Sequence, residues 1–109
     1  LEEGTGLIVP AEINENMTSK LRDLAIQTFK ALDCSGMARV DFLINSETEE
    51  FFVGEINTIP GFTQISMYPK LWEITGISFP ELITKLFDLA IHRQNEKSKI
   101  STDIKEKNE

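Results

Sequence analysis

Arg39, Asp41, Glu55 and Asn57 are the residues best suited by type and spacing to act together. Arg39 and Asp41 stand two apart, as do Glu55 and Asn57, and residues two apart on a strand point to the same face. If the two segments pair with Asp41 opposite Glu55, then Arg39 falls opposite Asn57. All four side chains then share a face, with opposed Cβ atoms about 4.5–5.5 Å apart. A one-residue slip would send the two pairs to opposite faces, and the sequence alone leaves that register open. Two opposed carboxylates repel unless a cation neutralises them. Mg2+ takes hard oxygen ligands and keeps positions for phosphate oxygens, so two carboxylates and one amide oxygen suit it. Arg39 beside them would stabilise a developing negative charge. The plainer alternative is a solvated hairpin face on which Arg39 pairs an acid, and the D-x-F…E-x-N spacing by itself is weak evidence against it.

The segment that follows, Thr58 to Ser66, runs TIPGFTQIS. Pro60-Gly61 predicts a sharp turn between a strand end and a helix start. Free backbone amides in such a turn can hold an oxyanion or a carboxylate, as helix starts do. Ser66 stands where an N-cap would, which gives it either a capping role or a ligand-binding one.

The rest of the chain bounds these readings. Its 109 residues are the size of one small domain, and 40% hydrophobic content allows a core. The chain starts at Leu1 rather than Met, and LEEGTG reads as the tail of a loop, so it is expected to be part of a longer protein. A net charge of −7 argues against nucleic acid as a partner, because phosphate backbones need a basic face. Cys34 is the single cysteine, which rules out an intrachain disulfide and any multi-cysteine zinc motif. It reads as a small residue near a helix end, and His92 as a surface residue on a late helix. No apolar run approaches the ~20 residues of a membrane span, and no signal-peptide pattern is present; a cytoplasmic location is expected.

These residues need a scaffold. Residues 7–9 (LIV), closed by Pro10, read as a short strand. Leu21, Leu24, Ala25, Thr28 and Leu32 fall at helical spacing, and Gly36 reads as the left-handed cap that ends this helix. MARVDFLI (37–44) and EFFVGEINT (50–58) flank polar NSETE (45–49) as a hairpin with a longer loop. SMYPKLWEITG (66–76) reads as a short helix interrupted near Pro69 and stopped by Gly76. Ser78 and Glu81 form a capping box for a last helix carrying Leu82, Leu86, Leu89 and Ala90 and running to about Arg93. From Gln94 to Glu109 the mixed charges predict a frayed or disordered tail. The order of elements gives an α+β fold with antiparallel strands and packed helices.

ARVDF (38–42), EINTIPGFT (55–63) and ISMYPKLWE (65–73) together resemble the C-terminal part of the D-alanine–D-alanine ligases, members of the ATP-grasp superfamily. SGMARVDF (35–42) and LITKLFDLAI (82–91) fit the same pattern, and the resemblance covers roughly residues 8–93. It implies that 1–93 is the C-terminal portion of an ATP-grasp domain. It also implies that ATP phosphorylates the carboxylate of one D-alanine, and that the amine of a second attacks the acyl phosphate to give the dipeptide used in peptidoglycan. Asp41, Glu55 and Asn57 match the family's ligands for two Mg2+ or Mn2+ ions, and Glu55 and Asn57 thereby serve ATP. Arg39 matches the arginine that steadies the transferred phosphoryl group, Gly61 the backbone oxyanion donor, and Ser66 the serine that holds the second substrate's carboxylate. Small-molecule substrates, D-alanine and ATP, and a homodimeric complete enzyme are implied. The family's N-terminal and central domains are absent from this stretch, so the segment alone is expected to be inactive. D-lactate or D-serine as second substrate remains open, as do another ATP-grasp carboxylate–amine ligase and a non-catalytic acidic interaction module.

Overall fold

The computed structural model describes residues 6–108. The chain runs α1 (Glu15–Ala31), β1 (Arg39–Ile44), β2 (Phe51–Asn57), α2 (Met67–Thr75) and α3 (Phe79–Asn108). Asn14 caps α1, its side-chain oxygen accepting from the Met17 amide at 2.7 Å. Leu21, Leu24, Ala25 and Thr28 lie with Met17 on the less exposed stripe of that helix, as the spacing predicts, whereas Leu32, expected in the same stripe, is the C-cap and is 59% exposed.

The end of α1 differs from the expectation. Leu32 is the C-cap and Asp33, not Gly36, takes the left-handed conformation, at φ 52°. The Cys34 amide donates to Phe29 O and the Asp33 amide to Lys30 O, the bond pair of a Schellman ending. A short acidic side chain tolerates that region well enough to end the helix before the glycine is reached. Gly36 is also left-handed, at φ 79°, but it shapes the approach to β1.

β1 and β2 pair antiparallel in a two-stranded sheet. Asn45 closes the connection: its side-chain oxygen accepts from the Glu47 and Thr48 amides, and its own amide donates to Glu50 O. Residues 7–9, expected as a strand, have no strand partner among the described residues, and Leu7 and Ile8 are exposed. An extended run becomes a strand only when a neighbour takes its backbone hydrogen bonds. Residues 1–5, expected as a loop tail, lie outside the described residues.

α2 is continuous across Pro69. Ser66 is its N-cap, so Pro69 sits in the first turn, where no amide is needed. Gly76 ends it at φ 109°, as expected. Ser78 Oγ accepts from the Glu81 amide at 3.4 Å, the first arm of the expected capping box. α3 does not stop near Arg93: it continues to Asn108, where a frayed or disordered tail was expected. Residues 94–108 lack apolar periodicity but also lack glycine and proline, and carry four Lys and two Glu, which favour helix. Lys99 and Glu96 add an exposed i,i+3 pair at 3.8 Å.

Packing is concentrated where α2 meets α3. Phe62 stacks against Tyr68 (6.1 Å) and Phe79 (5.4 Å), and Tyr68 meets Trp72 edge-on at 6.4 Å. Leu82 is 3% exposed, and Met17 and Tyr68 are the other buried hydrophobic residues among those described. The radius of gyration is 18.1 Å, against about 13 Å for a compact domain of this length. The aromatic cluster therefore matters mainly because it ties the 58–66 loop to two helices.

Candidate active site

The register brings the hairpin residues together. Arg39 pairs with Asn57 and Asp41 with Glu55, so the four polar side chains issue from one face. Immediately beyond, the ladder shifts: Phe42 pairs with Val53, leaving Gly54 as the extra residue of a β-bulge. The alignment needed for the polar cluster is thus confined to the Arg39–Asp41 and Glu55–Asn57 end.

Within the cluster the electrostatics differ from two opposed bare carboxylates. Arg39 forks onto Asp41, with Nε–Oδ1 at 2.9 Å and Nη2–Oδ2 at 3.1 Å. That hydrogen bonding, then the charge of Asp41, raises the Arg39 guanidinium above its already high ordinary value; partial burial opposes this and Glu55 adds to it. Because the cation is the favoured form, the pair persists as pH rises through the neutral and mildly alkaline range. The alternative in which Arg39 pairs an acid is therefore present. It does not exhaust the face: two of the five guanidinium N–H donors are spent on Asp41, and a carboxylate offers about four acceptor positions. Glu55 is exposed, and among the described residues no hydrogen bond or ion pair engages its carboxylate. Asn57 Oδ1 accepts from the Ile59 amide at 3.1 Å, which curls the chain out of the strand and holds the carboxamide in place.

Gly61 lies four residues beyond Asn57, so it is at most about 14 Å from it. A methyl group added at Gly61 would stand 3.2 Å from Ser66 Oγ, so the turn and the helix start are in close contact. Ser66 has the backbone conformation of an N-cap, yet its side chain makes no cap hydrogen bond. Its Oγ instead accepts from the Thr63 amide at 3.0 Å and lies 2.7 Å from Thr63 Oγ1. Capping alone thus fails to describe Ser66. Thr63 was not singled out from the sequence; the Thr-x-x-Ser spacing across a turn was the available signal. Tyr68 was missed as an anchor as well. Burial raises its hydroxyl above the ordinary phenol value, against a hydrogen bond from Trp72 that lowers it.

Other candidates stay apart. Cys34 is half-buried in the ending of α1, and His92 is exposed on α3. Two hollows of about 280 and 270 Å³ run along α3, and none of Arg39, Asp41, Glu55, Asn57, Gly61 or Ser66 lines them. Chemistry and cavity volume point to different places, and the polar face has the reactive groups. Among the described residues no three or more His, Cys, Asp or Glu side chains cluster; the hairpin set is two acids completed by an amide oxygen. No helix among them is long and apolar enough to cross a membrane.

Comparison with known proteins bears on the same elements. The family described as "D-ala D-ala ligase C-terminus" matches residues 1–88. A D-alanine–D-alanine ligase from Acetivibrio thermocellus is 52% identical over 91% of this chain and 26% of its own length. The solved D-alanine–D-alanine ligase from Coxiella burnetii is 45% identical, with a TM-score of 0.85 over 89% of this chain and 28% of its own. The Bacillus anthracis ligase solved in complex with ATP is 29% identical, with a TM-score of 0.72 over 79% of this chain and 30% of its own. The chain spans about a quarter of the length of the curated relatives it matches.

Proposed function

The chain belongs to the family of D-alanine–D-alanine ligase C-terminal segments, and on that premise we propose that the complete protein carrying it joins two D-alanine molecules at the expense of ATP. The observation that carries the reading is the register, which sets Asp41 opposite Glu55 and Arg39 opposite Asn57, with the Gly61–Ser66 turn following a few residues along the chain. The donors fit divalent ions: all are hard oxygens, Glu55 is unengaged, and Asp41 and Asn57 keep acceptor capacity beyond their present bonds. Asp41, Glu55 and Asn57 would hold two Mg2+ or Mn2+ ions, whose chemistry there would be neutralisation of phosphate charge.

The chain's own groups do the rest. Arg39 uses its remaining N–H donors on the transferred phosphoryl group and on the oxyanion formed when the second amine attacks the acyl phosphate. The Gly61 amide stands in the same turn as a second donor to that oxyanion, and a preorganised donor of this kind is worth about 2.7–4 kcal/mol. Ser66 binds the carboxylate of the second D-alanine. The product is the dipeptide that ends peptidoglycan precursors, and the complete enzyme is a cytoplasmic homodimer. The 109-residue segment, without the regions that bind the first D-alanine and most of ATP, is inactive.

The test is phosphate release from ATP by the complete protein with Mg2+ and D-alanine, with products weighed by mass spectrometry. D-alanyl-D-alanine from D-alanine alone is the expected result. A mixed product formed only when D-lactate or D-serine is added would keep the chemistry and change the second substrate. No release with any of the three would contradict the assignment, and appreciable turnover by the 109-residue segment would contradict its inactivity.

A further inference from the structure

Thr63 is joined to Ser66 at three points. The Ser66 amide donates to Thr63 O at 3.0 Å, the Thr63 amide donates to Ser66 Oγ at 3.0 Å, and the two hydroxyl oxygens lie 2.7 Å apart. Gly61 closes the near side, where even a methyl group would crowd Ser66 Oγ. A serine hydroxyl has one proton to give and two lone pairs to fill. The Thr63 amide fills one lone pair; the Thr63 hydroxyl is placed to fill the other.

We infer that Thr63 is a positioning residue: it occupies both acceptor positions of Ser66 Oγ and so turns the Ser66 proton outward to the carboxylate of the second substrate. This deepens, and rests on, the ligase reading. Without a ligand, either hydroxyl can supply the proton between them. A carboxylate in front of Ser66 accepts only, so Ser66 must donate to it and Thr63 must donate to Ser66. The two hydroxyls then donate one way, Thr63 to Ser66 and Ser66 to the carboxylate, and a charge-assisted bond at the end of such a chain is stronger than a neutral one. Nothing has to move but two hydroxyl protons. Thr63 is exposed, so its hydroxyl can be deleted without opening the core.

The experiment uses the complete ligase and steady-state phosphate release, with the D-alanine dependence resolved into first-site and second-site constants. Thr63→Val keeps the shape and the backbone amide and removes only the hydroxyl. It is expected to raise the second-site KM roughly tenfold, the loss of one hydrogen bond to a charged partner's donor. The first-site constant and the KM for ATP should stay unchanged, and Thr63→Ser should restore the second-site KM. Ser66→Ala, run beside it, should raise the same constant at least as much. If Ser66→Ala raises it and Thr63→Val does not, the inference is wrong while the ligase reading stands. If neither changes it, the Ser66 assignment fails and the inference fails with it. If Thr63→Val weakens all constants together and Thr63→Ser does not restore them, Thr63 is merely structural and the inference is overturned.

Discussion

The hairpin face and the Gly61–Ser66 turn are prepared for their ligands in different ways. On the hairpin, placement comes from strand pairing: the partners are fourteen or more residues apart in sequence, Asp41 to Glu55 for one. Its charges then satisfy one another, Arg39 holding both oxygens of Asp41 while Glu55 faces solvent. In the turn, placement is local, with Thr63 and Ser66 bound across three residues and Gly61 close to Ser66. On the proposed reading the hairpin would have to share its bonds with an incoming cation. The turn needs only a reorientation of hydroxyl protons. Charge neutralisation tolerates that looseness; recognition of one carboxylate does not.

The strongest way to break the comparison is to discharge the hairpin. In the complete protein, Glu55→Gln keeps the shape of the side chain and, if the hairpin holds metal as proposed, should lower phosphate release roughly a thousandfold, with far-UV circular dichroism unchanged, since leaving a bound phosphate charge uncompensated costs several kcal/mol. A non-catalytic acidic module would show no loss. Gly61→Ala attacks the turn instead. Its methyl group displaces Ser66 or the turn amide, and a misplacement of that kind should cost about a hundredfold in kcat/KM. An unaffected enzyme would mean that the turn has room the geometry denies.

Two smaller effects sharpen the account by lying outside both regions. Asn14→Ala removes the α1 cap and should destabilise the fold by about 1 kcal/mol without changing KM for any substrate, read by chemical denaturation and kinetics together. Tyr68 is the single tyrosine of the 109-residue chain, so phenolate absorbance reports it alone. Its burial raises the hydroxyl, so the neutral form is favoured in the fold. The stability this contributes is present below the ordinary phenol value of about 10 and is lost as pH rises through the higher folded value. An absorbance midpoint at or below 10 would show the aromatic anchor of the turn to be open to water.

Local chemistry was legible in the sequence where a feature depends on a few neighbouring residues. Gly76 stops α2 and Ser78 starts α3 because each needs only its own turn. The hairpin register was legible only as a condition, because it is fixed between strands; the Gly54 bulge that ends it gave no sign beyond a glycine in an apolar run. Residues 7–9 had strand composition but no strand partner among the described residues, and strand formation is a property of pairs. Pro69 misled because its effect depends on where the helix begins: at the third helical residue it is harmless. The end of α3 misled in the opposite sense, since the loss of apolar periodicity signals loss of packing, and helix propensity alone carries the chain on to Asn108. At the site, residue types pointed to the metal set, while the Arg39–Asp41 fork and the Thr63–Ser66 pair needed coordinates.

Counting bound ions decides whether the hairpin face is a divalent-metal site. Mn2+ titrated into the complete ligase with ATP, followed by electron paramagnetic resonance, should show two ions bound per active site. Glu55→Gln should lose at least one of them while the protein stays folded. An unchanged count in Glu55→Gln would contradict the account and leave the hairpin as a solvated face on which Arg39 pairs an acid.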